Sequence, residues 1–352
     1  MICTLETCCW LYNYFLEERK TMWNQHKKST TFYDQCNSLI NLKKLKPELS
    51  KIYSQTLQDV AKKIDNSFYK FFNKIKKKEK AGYPRIKSLP RYKSFAYPQF
   101  EILGKIKDNK IYLPKIGWVK IKLHRKIKGF VKKVLIKKTS TNKWYAIIVC
   151  EDYPIEKLPL TNLQIGVDVG LNKFATLSSG EVIENPKFFE KKERILIKLQ
   201  KQQKRKASCH VREKIKNKKL NFHHQEARKL LNKYDTIYIE KLDINSMKKC
   251  GKFKFGKAVS DVAWGNFIRL LKYKAEDAGK KIIEVPPFFT SQTCSKCSHL
   301  NKTKAFNFLM QCDKCGHTES RDLNAAKNIL RLGTQSLKVK CPLKDAKLLA
   351  VA

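Results

Sequence analysis

Between Leu57 and Ile75 the apolar residues Leu57, Val60, Ile64, Phe68, Phe71 and Ile75 return every three or four positions, with Lys62, Lys63, Lys70 and Lys74 between them. That period predicts an amphipathic helix with one packed face and one basic face. The whole stretch 1–82 reads as helical, and the lysine-rich run 76–80, followed by Gly82 and Pro84, closes it. From about residue 95 the period becomes two. Ile111 and Leu113, then Val119, Ile121 and Leu123, alternate with polar neighbours; Val131–Ile136 and Trp144–Cys150 follow, joined by a turn at Thr141–Asn142. These short strands predict a small twisted sheet or barrel with lysines on its outer face, either solvated or gripping a phosphate backbone.

Past residue 159 the pattern changes again. Leu163–Thr176 predicts a strand with Ile165, Val167 and Val169 on one face and Gly166, Asp168 and Gly170 on the other. A hairpin turn at Ser179–Gly180 precedes Val182 and Ile183. Thr236, Ile237, Tyr238 and Ile239 form a continuous apolar run, as in a strand buried on both faces, and Glu240 closes it. Ser320–Leu332 predicts a helix whose inner face carries Ala325, Ala326, Ile329 and Leu330, and Asp322 extends that face toward the sheet.

Three acids stand out against this pattern. An aspartate inside an apolar strand is costly unless paired or metal-bound, and the glycines flanking Asp168 leave room for a ligand to approach the backbone. Glu240 falls at the carboxyl end of its strand, where ligand sites gather in open α/β sheets. For Asp322 the competing role is an N-terminal helix cap, and Asp243, close to Glu240, reads as a cap before Asn245. Together the two strand-borne acids and the helix-borne one can supply oxygen ligands for two Mg²⁺ ions, the arrangement that stabilises both the attacking and leaving oxygens of a phosphodiester displacement.

Cys294-Ser-Lys-Cys297 and Cys312-Asp-Lys-Cys315 are separated by fourteen residues. Two such knuckles predict one closed, structural four-thiolate Zn²⁺ site. His299 and His317, two residues past each knuckle, read as surface residues or phosphate contacts. The other cysteines, such as Cys3, Cys36, Cys150 and Cys250, are scattered without a disulfide pattern, which suits a reducing compartment.

Charge narrows the partners. Seventy-five Lys and Arg against 31 Asp and Glu leave a net charge of +44, which a polyanion would offset; a solubilising lysine coat and an AT-rich genome that inflates lysine are the competing readings. The segment Lys201–Lys219, with Lys201, Lys204, Arg205, Lys206, Arg212, Lys214 and Lys216, predicts a one-signed helix, either on nucleic acid or solvated. No apolar run approaches the roughly 20 residues that cross a bilayer.

In this order the pieces resemble the TnpB family of transposon-associated RNA-guided DNA nucleases, the OrfB-type insertion-sequence proteins related to compact type V CRISPR effectors. Leu11-Tyr-Asn-Tyr-Phe-Leu-Glu-Glu-Arg19 resembles the family's first recognition helix, Tyr83-Pro-Arg-Ile-Lys-Ser88 its linker and Leu113-Pro-Lys-Ile-Gly-Trp118 a barrel strand. Gly166-Val-Asp-Val-Gly170 resembles the first RuvC motif, Ile239-Glu-Lys-Leu242 the second and Arg321-Asp-Leu-Asn-Ala-Ala-Lys-Asn328 the third, while Ser291-Gln-Thr-Cys-Ser-Lys-Cys297 opens the zinc ribbon.

The resemblance implies an α/β protein: an RNase H-like RuvC nuclease domain with an inserted four-cysteine zinc ribbon, preceded by a helical recognition domain and a small wedge β-barrel. The implied boundaries are 1–82 helical, 83–158 barrel, 159–290 nuclease with motifs one and two, 291–319 ribbon, and 320–352 third motif and tail. It implies that Asp168, Glu240 and Asp322 are catalytic acids holding Mg²⁺, that Cys294, Cys297, Cys312 and Cys315 hold zinc, and that Arg321 and the basic segment touch nucleic acid. A guide RNA and double-stranded target DNA are the implied partners, in the cytoplasm at the nucleoid and without a membrane. The implied activity is RNA-guided, Mg²⁺-dependent DNA cleavage. Two alternatives stand beside it: a catalytically impaired or truncated nucleic-acid-binding transposon protein, and a DDE-like transposase, which leaves the ribbon before Asp322 unexplained. Family members usually begin with a further strand, so the barrel is expected to lack one. The Lys201–Lys219 region is expected to be shorter than usual, and Ser298, where Gly commonly follows the first knuckle, to loosen that turn.

Overall fold

Helix-period and strand-period segments separate cleanly along the chain, and the computed structural model describes residues 1–155, 157–243, 256–301 and 308–339. They fall into two compact units, Met1–Pro154 and the residues from Ile155 onward.

In the first unit, α1 (Ile2–His26), α2 (Phe32–Leu45) and α3 (Ser54–Lys76) precede the strands. The helix predicted from Leu57, Val60 and Ile64 is α3; these three side chains are buried, whereas Ile75 near its end is exposed. A reciprocal pair of bonds between Thr31 and Asp34 starts α2, satisfying two amides that a helix leaves open. The strands are β1 (Ser94–Tyr97), β2 (Lys105–Lys107), β3 (Lys110–Leu113), β4 (Gly117–Lys120), β5 (Phe130–Lys138) and β6 (Trp144–Glu151), with a one-turn helix α4 (Phe100–Leu103) between β1 and β2. Asp108 and Asn109, both with positive φ (49° and 55°), make the tight turn between β2 and β3. The strand expected to reach Leu123 stops at Lys120.

Hydrogen bonding gives two three-stranded antiparallel sheets, β1-β5-β6 and β2-β3-β4, where a small twisted sheet or a barrel lacking one strand was expected. One core joins the helices to these strands, with Phe15, Leu57, Phe95, Leu113 and Val134 all in it. The helices and the strands of Met1–Pro154 therefore share a single interior.

The second unit is built on a five-stranded sheet of β7 (Gln164–Val169), β8 (Lys173–Leu177), β9 (Val182–Glu184), β10 (Thr236–Glu240) and β11 (Lys281–Val285). The order is β11-β10-β7-β8-β9. The first three strands in sequence form an antiparallel meander, and β10 and β11 run parallel to β7. The single strand expected over Leu163–Thr176 is thus a hairpin: the chain reverses at residues 170–172, and Asp168 lies opposite Thr176.

Helices α5 (Glu190–Lys201) and α6 (Arg205–Lys233) connect β9 to β10; α7 (Gly256–Val262) and α8 (Trp264–Ala278) precede β11. Strands β12 (Leu309–Gln311) and β13 (Thr318–Ser320) pair before the last helix, α9 (Arg321–Val339).

Strand alternation then sorts the two faces. Ile165, Val167, Ile237 and Ile239 pack with Leu230, Leu231, Phe267 and Leu271 of α6 and α8. Tyr238 packs with Ile329 and Leu330 of α9. Two glycines set how closely α9 docks. A Cβ on Gly166 would overlap the carbonyl oxygen of Ala326 and lie 2.7 Å from the Leu330 amide nitrogen, and one on Gly333 would overlap the Tyr238 ring. The space beside Gly166 is therefore filled by helix backbone, not kept for a ligand. Among the described residues no helix is long and apolar enough to cross a membrane.

Candidate active site and metal centre

The register between β7 and β10 sets Thr236 beside Gln164 and Ile239 beside Val167. Continued one residue, it brings Glu240 level with Asp168 at the carboxyl ends of two parallel strands, which run about 4.8 Å apart. Two residues after Gly166 and Tyr238, both acids share the face that receives α9. Ala326 sits against Gly166, and Asp322 lies one helical turn before it.

The cap question for Asp322 is answered by its neighbour. Ser320 Oγ accepts the backbone N–H of Leu323 at 3.3 Å, the bond an N-cap side chain makes, so the Asp322 carboxylate is not spent on the helix end. Arg321, expected on nucleic acid, has its guanidinium 3.6 Å from that carboxylate.

Electrostatics register that the acids are neighbours. Burial, and then the negative charges of Glu240 and Asp322, push the Asp168 carboxyl up to about 8, against partial relief from Arg321 and the Val169 backbone N–H. A crowded carboxylate site of this kind favours entry of a cation, which restores the ionised form. The oxygen donors fit a hard divalent ion such as Mg²⁺.

Sequence periodicity missed the residues that brace this site. The Thr290 hydroxyl donates to Glu240 Oε1. Asn324 Nδ2 donates to the carbonyls of Thr290 (3.4 Å) and Thr293 (2.8 Å), and Asn328 Nδ2 to the same two at 2.8 and 2.6 Å. The legible signal was two asparagines spaced four apart among the alanines of an inward helix face. Asp243 is a described residue without regular structure, but Asn245, which it was expected to precede as a cap, lies outside the described residues.

The four cysteines form a separate centre. Their sulfur atoms all lie within 4.8 Å of one another, with Cys297–Cys312 at 3.5 Å and Cys294–Cys315 at 3.8 Å. Tetrahedral zinc with Zn–S bonds of about 2.3 Å needs sulfur separations of about 3.8 Å, whereas a disulfide needs about 2.05 Å. The donor set fits zinc. Backbone N–H groups of Cys315 and Lys314 pull the Cys312 thiol down, whereas Cys315, against the lowering pull of the His317 backbone N–H, is pushed up by the thiols around it, so the cluster titrates as a unit.

The two knuckles repeat each other. Cys294 N–H donates to His299 O and Ser298 N–H to Cys294 O, as Cys312 N–H does to His317 O and Gly316 N–H to Cys312 O. Ser298 (φ 62°) and Gly316 (φ 67°) hold equivalent left-handed positions, so serine keeps the turn expected to loosen, at a backbone cost of about 1 kcal/mol. His317 Nε2 lies 3.3 Å from Glu319.

The basic segment divides at residues 202–204 between α5 and α6. Lys201, Lys204, Arg205, Lys206, Arg212, Lys214 and Lys216 are all exposed, while Ser208 and Ile215 turn inward.

Residues 147–251 match the family described as "Probable transposase", and residues 264–329 match the "Cas12f1-like, TNB domain" family. A protein of Escherichia coli strain K12 named "Putative RNA-guided DNA endonuclease InsQ" is 30% identical over 306 residues, 80% of this chain and 74% of that protein. A Streptomyces pristinaespiralis protein named "Putative RNA-guided DNA endonuclease" is 28% identical over 92% of this chain and 83% of its own length. A solved Cas12f1-sgRNA-target DNA complex aligns over 93% of this chain and 92% of its protein chain at 19% identity, with a TM-score of 0.39. With matching motifs in matching order and that extent of identity to InsQ, the chain belongs to the TnpB family of OrfB-type insertion-sequence proteins.

Proposed function

We propose that the chain is an RNA-guided DNA endonuclease that cuts at a RuvC-type, RNase H-like site formed by Asp168, Glu240 and Asp322. The observation that carries this reading is their placement at the ends of two adjoining strands and on the helix that packs against them, near enough that the charges of Glu240 and Asp322 add to burial in raising Asp168 to about 8. The sheet order, three antiparallel strands followed by two parallel ones, supports the RNase H-like assignment. The names of the relatives support RNA guidance and DNA as substrate.

In this reading Asp168, Glu240 and Asp322 would hold Mg²⁺ through carboxylate oxygens. When bound, such ions would supply Lewis-acid activation of water and offset charge on a departing oxygen. To serve as such a ligand, Asp168 would have to be ionised, against the burial and neighbouring charges that raise it to about 8. Glu240 presents an orientation fixed by Thr290, and Arg321 limits the negative charge beside Asp322. The exposed cations of α5 and α6 would hold the phosphate backbone of guide or target, supplying affinity without chemistry. The four thiolates would hold one structural zinc.

The test is expression with the native flanking DNA, sequencing of the RNA that co-purifies, and a Mg²⁺ cleavage assay on matching targets. A defined RNA, with cutting lost in Asp322→Ala, is expected. Cutting that persists in that variant would refute the assignment of the site.

A further inference from the structure

The segment between β11 and the first zinc knuckle is tied down more heavily than a connection requires. Val285, the last residue of β11, is level with Glu240 in the parallel pairing, and five residues later Thr290 is 5% exposed with its hydroxyl on Glu240 Oε1. In this bond the hydroxyl is the donor and the carboxylate oxygen the acceptor. A glutamate at a strand end has three rotatable bonds, and this contact leaves its other oxygen defined in direction.

Thr290 is itself held. Its carbonyl receives Nδ2 of Asn324 and Asn328, which are 0% and 1% exposed, and the same two amides hold Thr293 O. Asn324 Oδ1 also accepts the Ser295 N–H at 2.8 Å. Two buried amides on a helix face are costly where Ala or Leu would pack, and Asn328 leaves its own Oδ1 without a partner. What they accomplish is placement. Helix α9 carries Asp322 in its first turn and, through these amides, fixes the residue that orients Glu240. Cys294, a thiol of the four-sulfur centre, follows Thr290 by four positions on the same strap.

We propose that Thr290 is a positioning residue for Glu240, held by Asn324 and Asn328, so that the helix bearing Asp322 and the zinc ribbon together set the metal-binding orientation of the second acid. This rests on the reading of Glu240 as a metal-binding acid of the nuclease site. A hydroxyl that orients a ligand in this way commonly governs metal affinity or activity by about 10–100-fold.

The experiment measures Mn²⁺ binding by electron paramagnetic resonance, and Mg²⁺-dependent cleavage by the RNA-loaded protein, for Thr290→Val, Thr290→Ser and Glu240→Ala. Thr290→Val should weaken Mn²⁺ binding and raise the Mg²⁺ needed for half-maximal cutting by about tenfold or more, with zinc content and nucleic-acid affinity unchanged. Thr290→Ser should restore both. If Thr290→Val does not fold, Thr290→Ala removes the same hydroxyl. Wild-type Mn²⁺ affinity in Thr290→Val, or a Thr290→Ser variant as weak as the valine, overturns the proposal while loss of cutting in Glu240→Ala keeps the site reading. Full Mn²⁺ binding and cutting in Glu240→Ala overturns both.

Discussion

Replacing Asp168 with asparagine should stabilise the metal-free protein while abolishing cleavage. With its carboxyl pushed from 3.8 to about 8, folded Asp168 keeps a proton at pH 7 that the unfolded chain releases. At about 1.4 kcal/mol per pH unit above 3.8, that difference destabilises the fold by about 4 kcal/mol at pH 7. The sign follows from proton counts. Between 3.8 and about 8 the folded state binds more protons, so the contribution to stability falls as pH rises through that window.

Asparagine has nearly the same shape and no charge to suppress. Allowing for imperfect accommodation of its amide, we expect a gain on the order of 2–4 kcal/mol at pH 7, or roughly 5–10 °C in Tm for a unit of this size. Thermal melts in divalent-free buffer, without chelator so that the ribbon keeps its zinc, measure it. The gain should shrink toward pH 4, where both states of the wild type hold the proton. Millimolar Mg²⁺ should raise the wild-type Tm and leave the variant's unchanged. An asparagine variant that melts at or below wild type at pH 7, or a gain that does not shrink on acidification, would refute the crowding of the three acids.

Other outcomes follow from particular contacts. Gly166→Ala places a methyl against the backbone of Ala326 and Leu330, where nothing can rotate aside, so denaturant unfolding should show a loss of about 3 kcal/mol or more. Metal analysis should find one zinc per chain, lost in Cys312→Ser; hydrogen exchange should then rise across 291–301 and 308–319 but not across residues 1–154. The triple change Lys204→Ala, Arg205→Ala and Lys206→Ala should weaken nucleic-acid binding and reduce the slope of log affinity against log salt by about 2–3, while Asp168→Ala leaves that slope intact. An unchanged slope in the triple variant would mean that these side chains only meet solvent.

Much of this protein was legible locally. The period of Leu57, Val60 and Ile64 gave α3, and alternation gave β3, β5 and β6, because the burial that selects these residues repeats with the geometry of the element itself. The thiol spacing declared the four-sulfur centre because two tight knuckles carry their own geometry. Where two local meanings coincided, the sequence alone could not choose. An acid early in a helix is a cap or a ligand, and only the Ser320–Leu323 bond assigns the cap elsewhere. A glycine beside an aspartate admits a ligand or a helix, and only the approach of Ala326 and Leu330 decides for the helix.

The pairing of β1 with β5 and the Thr290 contact to Glu240 depend on segments far apart in sequence, while the break in the Leu163–Thr176 strand is a local hairpin that continuous alternation concealed. Periodicity records which face of an element is buried. Which distant backbone fills that face is settled by register and close packing, and those exist only once the chain has folded.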